Sequence, residues 1–199
     1  MKTIAIIGAG GHAKVIVNLI KELKIYRIVG FYDDDENSTL YDIKYLGKTI
    51  NLDNSIENFI IGIGNNKIRK KIYEKNQNVN WHSLIHPKSI IAENIIIGEG
   101  TVVCAGCIIE TDVSIGKQCI INTGCNINHE CCIDDFTDIS PSATICGQVN
   151  IGKSSFIGAN CTILQCISIG DKCIIGAGSV IIKNTTNNAK IVGNPGRIL

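Results

Sequence analysis

Several things are missing from this 199-residue chain. No apolar stretch approaches the roughly 18 residues of a membrane span. No long basic run occurs and the net charge is only +1, so nothing in the charge pattern points to nucleic acid. The N-terminus, M-K-T-I-A-I-I-G, is too short an apolar run for a signal peptide. It runs straight into a glycine turn with no small-residue cleavage site. These absences predict a cytoplasmic protein that engages neither a membrane nor a nucleic acid. The ten cysteines lack metal-ligand spacing: Cys131 and Cys132 are adjacent, and the C-x-x-C pair Cys104/Cys107 has no second pair. The length suits one large domain or two small ones.

What the chain has in abundance is aliphatic residues at a fixed interval. Every sixth residue from Ile85 through Ile91, Ile97, Val103 and Ile109 to Ile181 is Ile or Val. Four residues after each stands a small or β-branched one, among them Thr101, Cys107, Cys119, Cys125, Ala143, Ser155 and Cys173. An α-helix repeats at about 3.6 residues and a strand at about 2, and neither yields an unbroken six. Hexapeptide periods mark parallel β-helices, coils of short strands joined by sharp corners. The period predicts one inward aliphatic per strand, a small residue filling the gap beside it, and two corner residues projecting outward. Coils stack at about the 4.8 Å strand spacing, and each pairs with the next, so only the two ends stay open. Six cysteines (Cys107, Cys119, Cys125, Cys131, Cys161, Cys173) fall in the small inward slot and read as reduced, structural small hydrophobes.

The first third of the chain is different. Thr3–Ile7 is a short apolar run closed by Gly8-Ala9-Gly10-Gly11-His12-Ala13. Val15, Ile16, Leu19, Ile20 and Leu23 then recur at helical spacing, and Tyr26–Tyr32 is a second apolar run ending in Asp33-Asp34-Asp35. Strand, glycine turn, helix and strand make a Rossmann-like βαβ unit, whose glycines let a ligand phosphate approach the helix N-terminus. Gly8, Gly10 and Ala13 fit the dinucleotide fingerprint, with Asp33 at the ribose-binding distance. Phe59–Gly64 supplies another buried strand and turn, and 67–75 reads as a helix. There is room for one mononucleotide half, so a nucleotide-sugar is preferred over NAD and over a purely structural turn. The polar junction 76–81 divides an α/β domain, residues 1–80, from an all-β domain, residues 81–199. Trp81, His82 and 84–87 enter the repeat, and His82 and His86 read as structural or substrate-adjacent.

The chemistry falls at Asn128-His129-Glu130. The frame puts His129 and Glu130 on a corner, two and three residues after inward Ile127, so His129 is not a core histidine. Eighteen residues away the same column carries Thr111 on one side and Gly147 on the other, and a glycine there leaves space for a ligand along the wall. A neutral imidazole suits a general base, and Glu130 orients it or raises its basicity. Backbone N–H groups near Gly147 are placed to hold an oxyanion. By register Cys131 points inward, and Cys132 has no second base beside it.

These motifs together resemble one family. G-A-G-G-H at 8–12, Asp33-Asp34, I-G-I-G-N-N at 61–66, H-P at 86–87 and N-H-E-C-C-I-D-D-F at 128–136 are similar to the bacterial sugar O-/N-acyltransferases. Bacillosamine-pathway and perosamine N-acetyltransferases and sialic acid O-acetyltransferases share the pattern. The stretch 61–75 looks most like the bacillosamine-pathway enzymes that act on a UDP-linked 4-amino sugar. The resemblance implies a left-handed parallel β-helix of three hexapeptides per triangular coil. It also implies acetyl-CoA as co-substrate with no metal, and a homotrimer with active sites between neighbouring solenoids. Carried over by position, it implies His129 as base and Glu130 as its support. Nucleotide-sugar contacts then fall on Gly10, Gly11, His12, Asp33, Asp34 and Gly64. Acetyl-CoA contacts fall on Gly147, Ala159 and Ala177, with Val192–Arg197 closing over the coenzyme. Relatives usually carry a second histidine where this chain has Asp138, which puts that acetyl-CoA contact in question. The implied reaction is acetylation of the 4-amino group of a nucleotide-linked deoxyamino sugar. The alternatives are a sialic acid O-acetyltransferase, a GDP-perosamine N-acetyltransferase, a sugar-nucleotide scaffold without turnover, and a metal-dependent hydratase needing several matching corner histidines.

Overall fold

The computed structural model covers Met1–Leu199 and divides into two compact units, Met1–Leu84 and Ile85–Leu199. The first is a parallel sheet with helices. β1 (Lys2–Ile7) lies between β2 (Tyr26–Tyr32) and β4 (Phe59–Ile61), with β3 (Tyr45–Gly47) outside β2. Ile4–Ile7 are all buried, as expected of a strand covered on both faces. α1 (Gly11–Leu23) buries Ala13, Ile16, Val17, Leu19 and Ile20 and ends at Lys24, a left-handed residue whose N–H returns to the Ile20 carbonyl. α2 (Asn66–Lys75) starts where the Asn65 side chain accepts the N–H groups of Lys67 and Ile68. The Trp81 ring packs on Phe59 and Tyr73, and its indole N–H donates to the Asn76 carbonyl (3.1 Å). His82 is hydrogen-bonded to the Tyr26 hydroxyl. Both residues therefore complete this first unit. β3 has no counterpart in the sequence pattern, because three residues amid polar chain carry no periodicity.

The second unit is a parallel β-helix. Two-residue strands recur every six residues from Ile90–Ile91 to Val180–Ile181. Each pairs with the strands 18 residues before and after: Ile127 lies between Ile109 and Ile145, and Ile133 between Ile115 and Ile151. Three flat faces result, and the second residue of each strand points into one continuous core. Past Ile181 the chain adds Lys190–Val192 to one face, and Arg197–Ile198 turns back antiparallel against it.

Two regularities explain why such short strands hold. The third residue after each inward aliphatic, at every sixth position from Asn94 to Gly178, has φ between +53° and +72°. For a non-glycine this costs on the order of 1–3 kcal/mol, similar to the ~1.5–3 kcal/mol from burying one inward Ile. The corner is also fastened by its own backbone: Glu130 N–H donates to Thr111 C=O (3.1 Å), Gln148 to His129 (2.9 Å) and Cys166 to Gly147 (3.0 Å). The small inward slot does more than fill space. Cys107, Cys119, Cys125 and Cys131 donate their thiols to the carbonyls of Asn122, Asp134, Ser140 and Cys146 at 3.0–3.2 Å. Thr101 and Ser155 hydroxyls bond Gly116 and Gly170 in the same way (2.7 and 2.9 Å). Cys, Ser and Thr serve there as small donors, while Val113, Ala143 and Val149 fill other slots by packing alone. All ten cysteines are free thiols.

Candidate active site

The corner after Ile127 carries His129 and Glu130, whose side chains are 55% and 52% exposed and so contribute little to packing. His129 Nδ1 lies 3.0 Å from Glu130 Oε2. The same oxygen accepts the Gln148 amide N–H (3.0 Å), and Gln148 Oε1 accepts the Cys166 thiol (3.3 Å). Glu130, Gln148 and Cys166 are one column, each a coil apart. The hydrogen bond from His129, then that from Gln148, holds the Glu130 carboxyl below its usual range. An ionised carboxylate accepts, so Nδ1 is the donor, and in the neutral imidazole Nε2 then keeps its lone pair.

A Cβ on Gly147 would lie 2.6 Å from both Cε1 and Nε2 of His129. The space over this glycine is filled by the imidazole itself, so Gly147 seats the ring. Ala159 and Ala177 follow inward Ile157 and Ile175, on the corner that precedes His129's in each coil, so one face separates them from Gly147 within a chain. That face shows Asn126, Thr144, Thr162 and Val180 outward. Asp138 lies on another face, between Ile120 and Phe156 in register, and is only 6% exposed.

In the first unit the two glycine turns are pressed together. A Cβ on Gly8 (φ +97°) would meet Ile63 Cγ1 at 2.6 Å, and one on Gly62 would meet Ala13 Cα at 2.8 Å. Gly10, Gly11 and Gly64 instead border open space. Asp33 spends both oxygens on the loop, accepting the N–H of Ala9 (2.9 Å) and Asp35 (3.0 Å). Asp34 accepts the Thr49 hydroxyl and N–H (2.8 and 3.0 Å), which hold its carboxyl low. His12, at the start of α1, is partly buried, and its Nε2 is a buried atom that lacks a partner. Burial, and next the charge of Arg69, bring its pKa down to about 4.

Residues 3–76 match the PglD N-terminal domain model, and 148–183 match a hexapeptide repeat of succinyl-transferase. The acetyltransferase domain of PglB from Neisseria gonorrhoeae superposes with a TM-score of 0.94 at 32% identity, covering 100% of both chains. The chain belongs to the hexapeptide-repeat sugar N-acetyltransferases. The same Neisseria domain has been solved with acetyl coenzyme A. A family structure from Caulobacter crescentus, a mutant GDP-perosamine N-acetyl transferase with CoA and GDP-perosamine, has a TM-score of 0.95 at 26% identity over 100% of this chain and 97% of that one. A UDP-N-acetylbacillosamine N-acetyltransferase from Bacillus subtilis is 37% identical over 114 residues, 53% of this chain and 52% of that protein. The chain thus spans about half the length of this curated relative.

Two residues of this family member escape a reading of motifs. Gln148 is found by counting 18 residues from Glu130, the count that finds Gly147 from His129. Arg69 is 1% exposed, and its burial is signalled only by its helical spacing from Ile72 and Tyr73.

Proposed function

We propose that the protein is an acetyl-CoA-dependent N-acetyltransferase acting on the 4-amino group of a UDP-linked 4-amino-4,6-dideoxy sugar, for surface glycan or glycoprotein synthesis. The observation that carries this is the His129–Glu130 pair: a solvent-facing imidazole whose Nδ1 lies 3.0 Å from the Glu130 carboxylate, which leaves Nε2 to serve as the base. Nε2 takes a proton from the sugar amine as its nitrogen attacks the thioester carbonyl. The tetrahedral intermediate collapses with loss of the CoA thiolate, to which the imidazolium returns the proton. The products are an acetamido sugar and free CoA. Glu130 favours the imidazolium that forms between the two steps.

The first unit takes the sugar nucleotide through Gly10, Gly11, His12, Asp33, Asp34 and Gly64. The open space at the three glycines and the unpartnered His12 Nε2 support this. Asp33 and Asp34 hold the loop as well as meeting the ligand. Acetyl-CoA contacts fall on Gly147, Ala159, Ala177 and Asp138. These stand on different sides of one solenoid, which speaks for a homotrimer in which the Ala159/Ala177 corner of one chain faces the His129 corner of the next. A cytoplasmic location fits a nucleotide-sugar substrate and ten free thiols, and no helix is long and apolar enough to cross a membrane.

A second reading, transfer to a GDP-linked amino sugar, is favoured by the likeness to the Caulobacter complex. The test is thiol release from acetyl-CoA against UDP- and GDP-linked 4-amino sugars and free sialic acid. Turnover confined to a UDP-4-amino sugar is expected. Turnover only with the GDP sugar selects the second reading, and O-acetylation of sialic acid overturns both.

A further inference from the structure

Arg69 is the largest fully buried side chain of the protein and lies outside every role assigned so far. Arginine is almost never fully buried unless its donors are engaged. Here Nη1 donates to the carbonyls of Ile63 (3.0 Å) and Gly64 (3.1 Å), in the turn between β4 and α2. That turn is the one packed on Gly8 through Ile63, while its outer residue Gly64 borders open space, as Gly10 and Gly11 do. The two helix N-termini differ. Asn65 occupies the first N–H groups of α2, whereas α1 has no side-chain cap. The terminus able to attract an anion is therefore that of α1. The charge of Arg69 is felt there: after burial, it is the second cause of the lowered pKa of His12. His12 Nε2, buried and without a partner in the protein, points independently to a ligand at this place.

We infer that Arg69 is a positioning residue for the sugar nucleotide, fixing the Ile63–Gly64 turn by two hydrogen bonds and setting a buried positive charge behind the α1 N-terminus, where the diphosphate docks. This rests on the reading of the first unit as the nucleotide-sugar site. Arg69 does not touch the ligand. It holds the backbone that does, and its field adds to that of the helix.

The experiment titrates UDP and GDP by calorimetry into the full-length wild type, R69K, R69M and the exposed control K71M, with both KM values and kcat measured alongside. R69M is expected to weaken nucleotide binding about 10- to 100-fold and raise the sugar KM in step. R69K should recover part of the loss, and K71M should match the wild type. Acetyl-CoA KM and kcat at saturating sugar should stay within about twofold. Unchanged nucleotide affinity in R69M, or a fall in kcat with a rise in both KM values, overturns the proposal. If R69M does not fold, R69K decides: weaker nucleotide binding with an unchanged acetyl-CoA KM supports it, and wild-type affinity overturns it. A wild type that binds neither nucleotide defeats the reading of the unit itself, before any variant is made.

Discussion

At the scale of single residues, the imidazole and the glycine beneath it act as one part. His129→Ala should lower kcat about 10²–10⁴-fold, the usual worth of a positioned base, with an unchanged melting temperature because the side chain is half exposed. Glu130→Gln should lose less, since it only tunes and orients the ring. Gly147→Ala keeps a backbone that alanine adopts, so its cost falls on the histidine ring 2.6 Å away. We expect kcat to drop about tenfold or more from the displaced base while melting shifts little; a Gly147→Ala enzyme at full rate would mean the ring is not held there. In the first unit His12 gives a pH signature. Its pKa falls from 6.5 unfolded to about 4 folded. Between those values the unfolded chain binds a proton that the folded one does not, so stability is full above about pH 6.5 and declines as pH falls toward 4. The loss is up to ~3 kcal/mol by linkage. Urea midpoints at pH 7.5 and 5 should differ less in His12→Gln than in the wild type.

At the scale of elements, much of the β-helix is legible in sequence because a solenoid is nearly one-dimensional. The inward Ile, the small slot four residues on and the corner between them repeat wherever the chain goes. The His129–Glu130 corner is legible for the same reason, from its place in the frame. The donor role of Cys125 or Cys131 is not, since the acceptor is a carbonyl that every residue supplies. Arg69 is obscured likewise: its partners are backbone oxygens, and charge alone argues for the surface. The repeat makes a sharp prediction. Removing one hexapeptide, Gly152 to Ile157, preserves the frame but turns everything beyond it by one face. Circular dichroism should keep its β-helix form while the acetyl-CoA KM rises about tenfold or more, as misplaced binding groups lose the ligand. Removing a whole coil, Gly152 to Ile169, leaves Ala177 on its proper corner and should cost less. Equal losses in the two deletions would show that Ala177 is not a coenzyme contact.

At the scale of the whole molecule, ten thiols spread through the solenoid provide a readout of its integrity. Cys166 is exposed, Cys132 and Cys146 are half-buried, and the rest are buried. A thiol reagent should therefore modify Cys166 first in the native protein and all ten only after denaturation, and rapid reaction of more than three would signal an open coil. Cys166 also stands at the end of the Gln148–Glu130–His129 chain, so its modification should slow turnover without unfolding the protein. The fastening of each corner by main-chain hydrogen bonds has a wider implication. Because Glu130, Phe136, Gln148 and Cys166 adopt one backbone shape with unrelated side chains, the corner works as a socket that accepts almost any fitting. New chemistry can be written onto such a scaffold one peg at a time, with the column a coil above or below as the address of its nearest helper.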